Sequence, residues 1–250
     1  MSEISVCIPT YEFKGKGVFY LSQIFDSLRT QTFQDFDIVI SDHSVDDDIF
    51  NFAKEISEDF EITYTKNPNG RGFQAPNTNC ALDNAEGRII KLIYQDDVFV
   101  NDQALELIHK GFEENDGKWM MHGFAHTVDG KSTNRPMIPK WTDMMLEGRN
   151  LLGSPTCFAC LNEAKMHMDE NIKLLIDTEL YHRMRYAHGM PIILEDILVA
   201  NREHPDRMSS SGVQYDMRIE HPEGSWLVNR DELVYVTEKH KDTRSYPDED

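Results

Sequence analysis

The strongest constraint on the fold is an alternation between residues 4 and 94. Short apolar runs of strand length are followed by longer stretches whose apolar residues recur at helical spacing. Ile4-Ser-Val-Cys-Ile8 is a β-rich run stopped by Pro9, and Val18 to Gln31 then places Leu21, Ile24, Phe25 and Leu28 on one helical face. Phe36-Asp-Ile-Val-Ile40 and the stretch Asp46 to Ser57, with Ile49, Phe52, Ala53 and Ile56 on one side, repeat the unit. Glu61-Ile-Thr-Tyr-Thr65 predicts a third strand, followed by a loop rich in Asn, Pro and Gly from Asn67 to Pro76 and a short helix to Ala85. Arg88-Ile-Ile-Lys-Leu-Ile-Tyr94 is almost continuously apolar, as a parallel strand covered on both faces must be.

Such units, joined by short connections, cross over in the right-handed sense. They predict an α/β fold with a doubly wound, Rossmann-like, mostly parallel sheet and helices on both faces. Ligands on sheets of this kind sit beyond the carboxyl ends of the strands. Four groups fall at those ends: Pro9-Thr10-Tyr11, Asp42-His43-Ser44, Asn67 to Arg71, and Gln95-Asp96-Asp97.

After Glu114 the alternation fades. Lys118 to Thr127 predicts a strand running into an Asp129-Gly130 turn, and Lys131 to Lys140 a loop. Thr156 to Leu161 predicts a further strand, Leu174 to His188 a helix closed by Gly189, and Leu198 to Arg202 a last strand before a polar loop over 203–212. Trp226, Leu227, Arg230, Leu233 and Val234 predict a C-terminal amphipathic helix. No linker or internal repeat divides the chain. The expectation is one domain over 1–240, with halves 1–115 and 116–240, and an acidic tail over 241–250.

Charge limits the partners. With 25 Lys and Arg against 44 Asp and Glu the net charge is −19, a poor surface for double-stranded nucleic acid, whose binding depends on basic side chains releasing counterions. A small anionic ligand needs a local cation, which a bound metal can supply. No apolar run approaches the roughly 20 residues that cross a bilayer, and the N-terminal sequence has no leader pattern. A cytoplasmic protein is expected, with peripheral contact to a membrane left open. The four cysteines include Cys157-Phe-Ala-Cys160, whose apolar filling suits a buried strand better than half a metal site.

Several signatures are missing: GxGxxG after the first strand, GxxxxGK[ST], and GxSxG. Instead Pro9-Thr10-Tyr11 offers a hydroxyl and an aromatic ring to a planar base. Asp96 and Asp97 repel one another unless a cation lies between them, and oxygen ligands suit Mg²⁺ or Mn²⁺. The other reading is that the pair caps a helix starting near Asn101.

Together these pieces form a resemblance. Ile4-Ser-Val-Cys-Ile-Pro-Thr-Tyr11, then Ser27-Leu-Arg-Thr-Gln-Thr-Phe33 and Asp37-Ile-Val-Ile-Ser-Asp-His-Ser44, resemble the nucleotide-binding half of family 2 glycosyltransferases. Asn79-Cys-Ala-Leu82, Ala85-Glu-Gly87 and Lys91-Leu-Ile-Tyr-Gln-Asp-Asp97 continue it in order. The likeness covers residues 3 to 100 well and 150 to 212 more loosely, and its specificity lies in the succession of motifs.

The resemblance implies an A-type glycosyltransferase (GT-A) fold that holds a sugar nucleotide, usually UDP-linked, with Mn²⁺ or Mg²⁺, and an acceptor-side extension. Pro9, Thr10 and Tyr11 would line the base pocket, and Asp42 would accept a hydrogen bond from a uracil imide; its alternative is helix capping. Arg71 would face base or phosphate, or else be a solvated loop residue. Asp96 would face ribose or metal, and Asp97 would ligate the metal. His43, Ser41 and Gln95 depart from the family's commoner residues. Gly153-Ser-Pro155, Met168-Asp-Glu170 and Ile176-Asp-Thr-Glu-Leu180 resemble the acceptor-side helix, with Asp177 as general base and Glu179 a helix or acceptor contact. His204 would return to the metal, and Arg202 and Arg207 would supply cations for phosphate. The activity implied is inverting transfer of a sugar to an acceptor hydroxyl, on a glycan for example. A sugar-phosphate nucleotidyltransferase and a non-catalytic binding module are the competing readings.

Overall fold

The computed structural model describes residues 2–205, 207, 216–222, 224–243 and 246. Strands β1 (Ile4–Thr10), β2 (Phe36–Asp42), β3 (Ile62–Lys66) and β4 (Ile89–Leu92) pair in parallel, in the order β3-β2-β1-β4. Helices α1 (Gly17–Arg29), α2 (Asp48–Ile56) and α3 (Gln74–Asp83) make the crossovers. Every residue of β1 and β2 is buried, so both faces of these strands are covered and their unbroken apolar runs are explained. Leu21, Ile24, Phe25 and Leu28 of α1 are fully buried, as their spacing requires.

The second half extends the same sheet. It contains β5 (Val98–Phe99), α4 (Ala104–Glu114), β6 (Trp119–Thr127), β7 (Thr133–Met137), β8 (Phe158–Leu161), α5 (Ile176–His188) and β9 (Ile192–Arg202). The sheet continues β4-β8-β6-β9-β5, with β7 paired to β6. β8 is antiparallel to both β4 and β6, and β6 is parallel to β9. Six of the nine strands therefore point one way, the mostly parallel sheet that the alternation predicts. A hairpin of β10 (Met217–His221) and β11 (Gly224–Val228) and the helix α6 (Arg230–Lys239) complete the chain. One core cluster runs from Ile4 to Val236 and joins the two halves. Among the described residues no helix is long and apolar enough to cross a membrane.

The elements that differ from expectation share a cause, a weak apolar signal. β7 lies in the expected loop; its five residues are all exposed, and Pro136 and a left-handed Arg135 leave no alternation to read. β9 begins at Ile192 rather than Leu198, because Glu195 and Asp196 bulge out of register and interrupt the apolar run. Trp226 and Leu227 belong to β11, not to the last helix, which starts only after Asn229 caps it by accepting from the Glu232 N–H. The polar loop expected over 203–212 and the tail over 241–250 fall partly outside the described residues.

The bulge depends on Gly123. A Cβ there would stand 2.7 Å from the Asp196 carbonyl oxygen and 2.8 Å from that of Glu195, both backbone atoms that cannot swing aside. Gly123→Ala should therefore lower the unfolding free energy by about 1–3 kcal/mol, read as a drop in urea midpoint at unchanged slope.

Candidate active site

The carboxyl ends of β1, β2 and β4 open into a cavity of about 600 Å³. Pro9 and Tyr11 line it at the end of β1, His43 after β2 and Gln95 to Asp97 after β4, while Lys173, Leu174, Ile176, Asp177 and Asn201–Arg202 form part of its walls. Both halves of the chain thus meet around one space. Arg71, Lys173, Arg202 and Arg207 also line it, together with Glu12, Asp96, Asp97 and Asp177, so both signs of charge meet in the cavity.

Gln95 shapes the cavity mouth. Its Oε1 accepts from the Tyr11 N–H at 2.9 Å and its Nε2 donates to the Gly17 carbonyl at 2.8 Å. An amide can both accept and donate, and an aspartate at this point could not tie the β1–α1 loop in the same way. That loop is strained, with Phe13 at φ 49° and Lys14 at φ 54°, as backbone at functional sites often is.

The two adjacent acids face different ways. Asp97 is buried; its Oδ1 accepts from the Arg202 N–H at 2.9 Å and its Oδ2 from the Thr156 hydroxyl. Burial, and then the neighbouring Asp96 carboxylate, push its pKa above the ordinary carboxylate range. Asp96 is partly exposed, and its Oδ2 lies 2.9 Å from His204 Nε2. The His204 ring is held by Tyr20, stacked at 5.5 Å, and by Phe13, edge-on at 5.2 Å. Neither acid caps a helix: α4 starts at Ala104, where Asn101 Oδ1 accepts from the Gln103 N–H and Gln31 Oε1 from the Leu105 N–H.

Beneath this pair lies a lysine that the sequence reading passed over. Lys91 is fully buried in β4, and its ammonium donates to the carbonyls of Leu92, Thr156 and Phe158. Burial pushes its pKa down to about 7. The lysine holds the turn whose Thr156 hydroxyl meets Asp97.

Asp177 is the second residue of α5 and stands in the cavity wall. Its Oδ2 accepts from Asn150 Nδ2 at 2.7 Å and its Oδ1 from the Thr178 N–H at 2.8 Å. Loss of solvent raises its pKa to about 6, against these two hydrogen bonds. Asn150 is a site residue that the sequence did not reveal, since its partner lies 27 positions away and a single loop asparagine carries no pattern.

The remaining expected residues divide. Pro9 and Tyr11 line the cavity, as does Arg71, which sits 3.5 Å from Glu12 at the rim. Thr10 is fully buried and its hydroxyl donates to the Ser41 carbonyl. Asp42 is fully buried as well, and its carboxylate accepts from the Ser44 N–H, the Tyr64 hydroxyl and Lys66 Nζ. Three donors inside the fold thus occupy the group expected to meet a base. Arg202 is also committed: its Nε donates to the Asp96 carbonyl at 2.7 Å and its guanidinium lies 5.0 Å over the Tyr20 ring. Arg207 stands 3.6 Å from Glu203. Glu179 faces away from the cavity, accepting from Arg183, Lys239 and His240.

The profile of "Glycosyl transferase family 2" matches residues 5–167, more than half of the chain. The chain belongs to glycosyltransferase family 2. Among curated family relatives, a Campylobacter jejuni protein named GalNAc(5)-diNAcBac-PP-undecaprenol beta-1,3-glucosyltransferase is 28% identical over 127 residues, 50% of this chain. The chain covers only 37% of that relative's length. The fold matches S. aureus TarS 1-349 in complex with UDP-GlcNAc at a TM-score of 0.67 and 17% identity, over 85% of this chain and 62% of that one. It also matches the mannosyltransferase PcManGT from Pyrobaculum calidifontis, in complex with GDP-Man and Mn²⁺, at 0.56 and 13% identity, over 80% and 56%. These structures share the GT-A-type architecture with this family 2 chain.

Asn150→Ala removes a donor to the ionised form of Asp177, along with the side-chain bonds of Asn150 to the Leu152 and Gly153 backbone. The Asp177 pKa should rise from about 6 by roughly one unit, followed by carboxyl ¹³C NMR titration.

Proposed function

We propose that the chain is a metal-dependent, inverting glycosyltransferase that moves a sugar from a UDP-sugar to an acceptor hydroxyl during glycan or polysaccharide assembly. The observation that carries this reading is the convergence on one cavity of Asp177, a buried carboxylate of raised pKa, and Asp96, whose carboxylate pairs with His204. The UDP-GlcNAc complex of TarS and the GDP-Man and Mn²⁺ complex of PcManGT support it through shared fold, and the relative's name through shared sequence.

The residues present suit a divalent cation. Asp96 Oδ2 and His204 Nε2 bring a carboxylate oxygen and an imidazole nitrogen together at a partly exposed point, while both Asp97 oxygens are engaged by protein donors. Mn²⁺ or Mg²⁺ commonly takes one or two protein ligands and completes its shell with phosphate oxygens and water. Asp96 and His204 would hold the ion, with Asp97 shaping the site from behind. When bound, the metal neutralises charge on the departing diphosphate.

The chain's own residues supply the rest. Asp177 takes the proton from an acceptor hydroxyl as that oxygen bonds to the anomeric carbon and the bond to the diphosphate breaks. One displacement with one base inverts the anomeric centre and needs no nucleophile on the protein. Base recognition falls to the lining residues Pro9, Tyr11 and His43. His43 Nε2 donates to the Asn69 carbonyl at 2.9 Å and burial keeps the ring neutral, so Nδ1 is the acceptor available to a uracil imide N–H. Arg71 and Arg207 reach the same space and offer charge to phosphate.

Two measurements test this. Asp177→Asn should keep UDP affinity within about threefold yet lose transfer by about 10³-fold; wild-type transfer would fall as pH drops through about 6, because the raised pKa leaves the base protonated below it. Retained turnover in that variant would remove Asp177 as base. Asp96→Ala and His204→Ala should each weaken Mn²⁺-dependent UDP binding, seen by calorimetry, by about 10- to 100-fold. Release of pyrophosphate from UTP and a sugar phosphate would instead mark a nucleotidyltransferase.

A further inference from the structure

We infer that Glu232, on the C-terminal helix, is a positioning residue for Asp177, acting through the turn that leads into α5. The Glu232 Oε1 accepts from the Lys173 N–H at 2.9 Å, and its Oε2 accepts from the N–H groups of Leu174 at 2.9 Å and Leu175 at 3.0 Å. These are the last three residues before α5, and Asp177 is that helix's second residue. A helix start exposes N–H groups that need acceptors. Leu175 occupies the capping position and has no side-chain cap to give. Glu232, 57 to 59 positions further along the chain, instead fixes the three N–H groups of the turn immediately before the helix.

Glu232 is itself fixed. Its N–H donates to Asn229 Oδ1 at 3.0 Å, and it sits in the first turn of α6, where the helix dipole favours a carboxylate. The turn it grips also carries Lys173, whose ammonium lies 4.4 Å over the Phe73 ring at the cavity rim. A single carboxylate thus sets both the base and part of the rim. α6 has a second, separate attachment: Lys239 and His240 bind Glu179, and the Tyr235 hydroxyl donates to Asp169 at 2.9 Å. Removing the Glu232 carboxylate therefore leaves the helix docked.

Glutamine at position 232 keeps the shape but offers one acceptor oxygen in place of two. Whichever way the amide turns, its NH₂ meets an N–H of the turn, donor against donor. The experiment compares wild type, Glu232→Gln and Tyr235→Phe by amide hydrogen exchange, UDP affinity and pH-dependent transfer kinetics. In Glu232→Gln, exchange at Lys173, Leu174 and Leu175 should quicken at least about tenfold and kcat fall by about 10- to 100-fold, with UDP affinity and donor KM held within about twofold. The acidic limb of its pH profile should move below about 6 as Asp177 gains water. Tyr235→Phe should behave as wild type in all three measurements. Unchanged exchange at the three amides, unchanged kcat, or an equal loss of UDP binding and kcat would each overturn the inference. The kinetic arm rests on the proposed role of Asp177, whereas the exchange arm does not. A wild-type protein that transfers no sugar would sink the proposed function and leave the clamp to be decided by exchange alone.

Discussion

The two halves of this molecule meet on a buried carboxylate. Asp97 lies in the turn between β4 and β5, and it binds the Thr156 hydroxyl on one side and the Arg202 N–H on the other. Those partners belong to the turn before β8 and to the last residue of β9, so one side chain joins three strand ends. Burial makes ionisation costly there and raises the pKa of the group, against two donors to its oxygens and the Lys91 side chain nearby. The geometry of Asp96, one residue before, follows from this fixed point. With its carbonyl held by Arg202, its carboxylate is left to face His204.

A similar economy solves the charge problem posed by the composition. The chain carries −19, yet in its cavity four basic residues from both halves stand against four acids, so the excess of acid is not repeated there. Long-range repulsion fades within a Debye length of about 8 Å at physiological salt, so the local arrangement governs an anionic ligand. Family membership and fold agree with such a ligand.

How much of this was legible depended on whether a feature was periodic or positional. The parallel units of residues 4 to 92 announced themselves because strands covered on both faces must be apolar throughout, and the strand ends then marked the cavity. β7 was hidden because an exposed edge strand with Pro136 obeys no alternation, and β9 was truncated because Glu195 and Asp196 break its run at a bulge. Site residues divided in the same way. Asp177 and Asp96 sat in motifs, whereas Asn150, Lys91 and Glu232 matter only through partners distant in sequence. Asp42 shows the converse. Its motif is intact, but Tyr64 and Lys66 on the neighbouring strand absorb its carboxylate, and no local pattern encodes that.

The left-handed backbone at Phe13 and Lys14 has a wider consequence. Each such residue costs roughly 1–2 kcal/mol, which contacts elsewhere must offset, and the Phe13 ring against His204 is among them. Glycine at position 14 would relieve part of that strain, but at position 13 it would also delete a buried ring, a loss of about 3–5 kcal/mol that outweighs the strain removed. The same ring therefore serves both the stability of the turn and its hold on the imidazole, so the two cannot be varied separately at position 13.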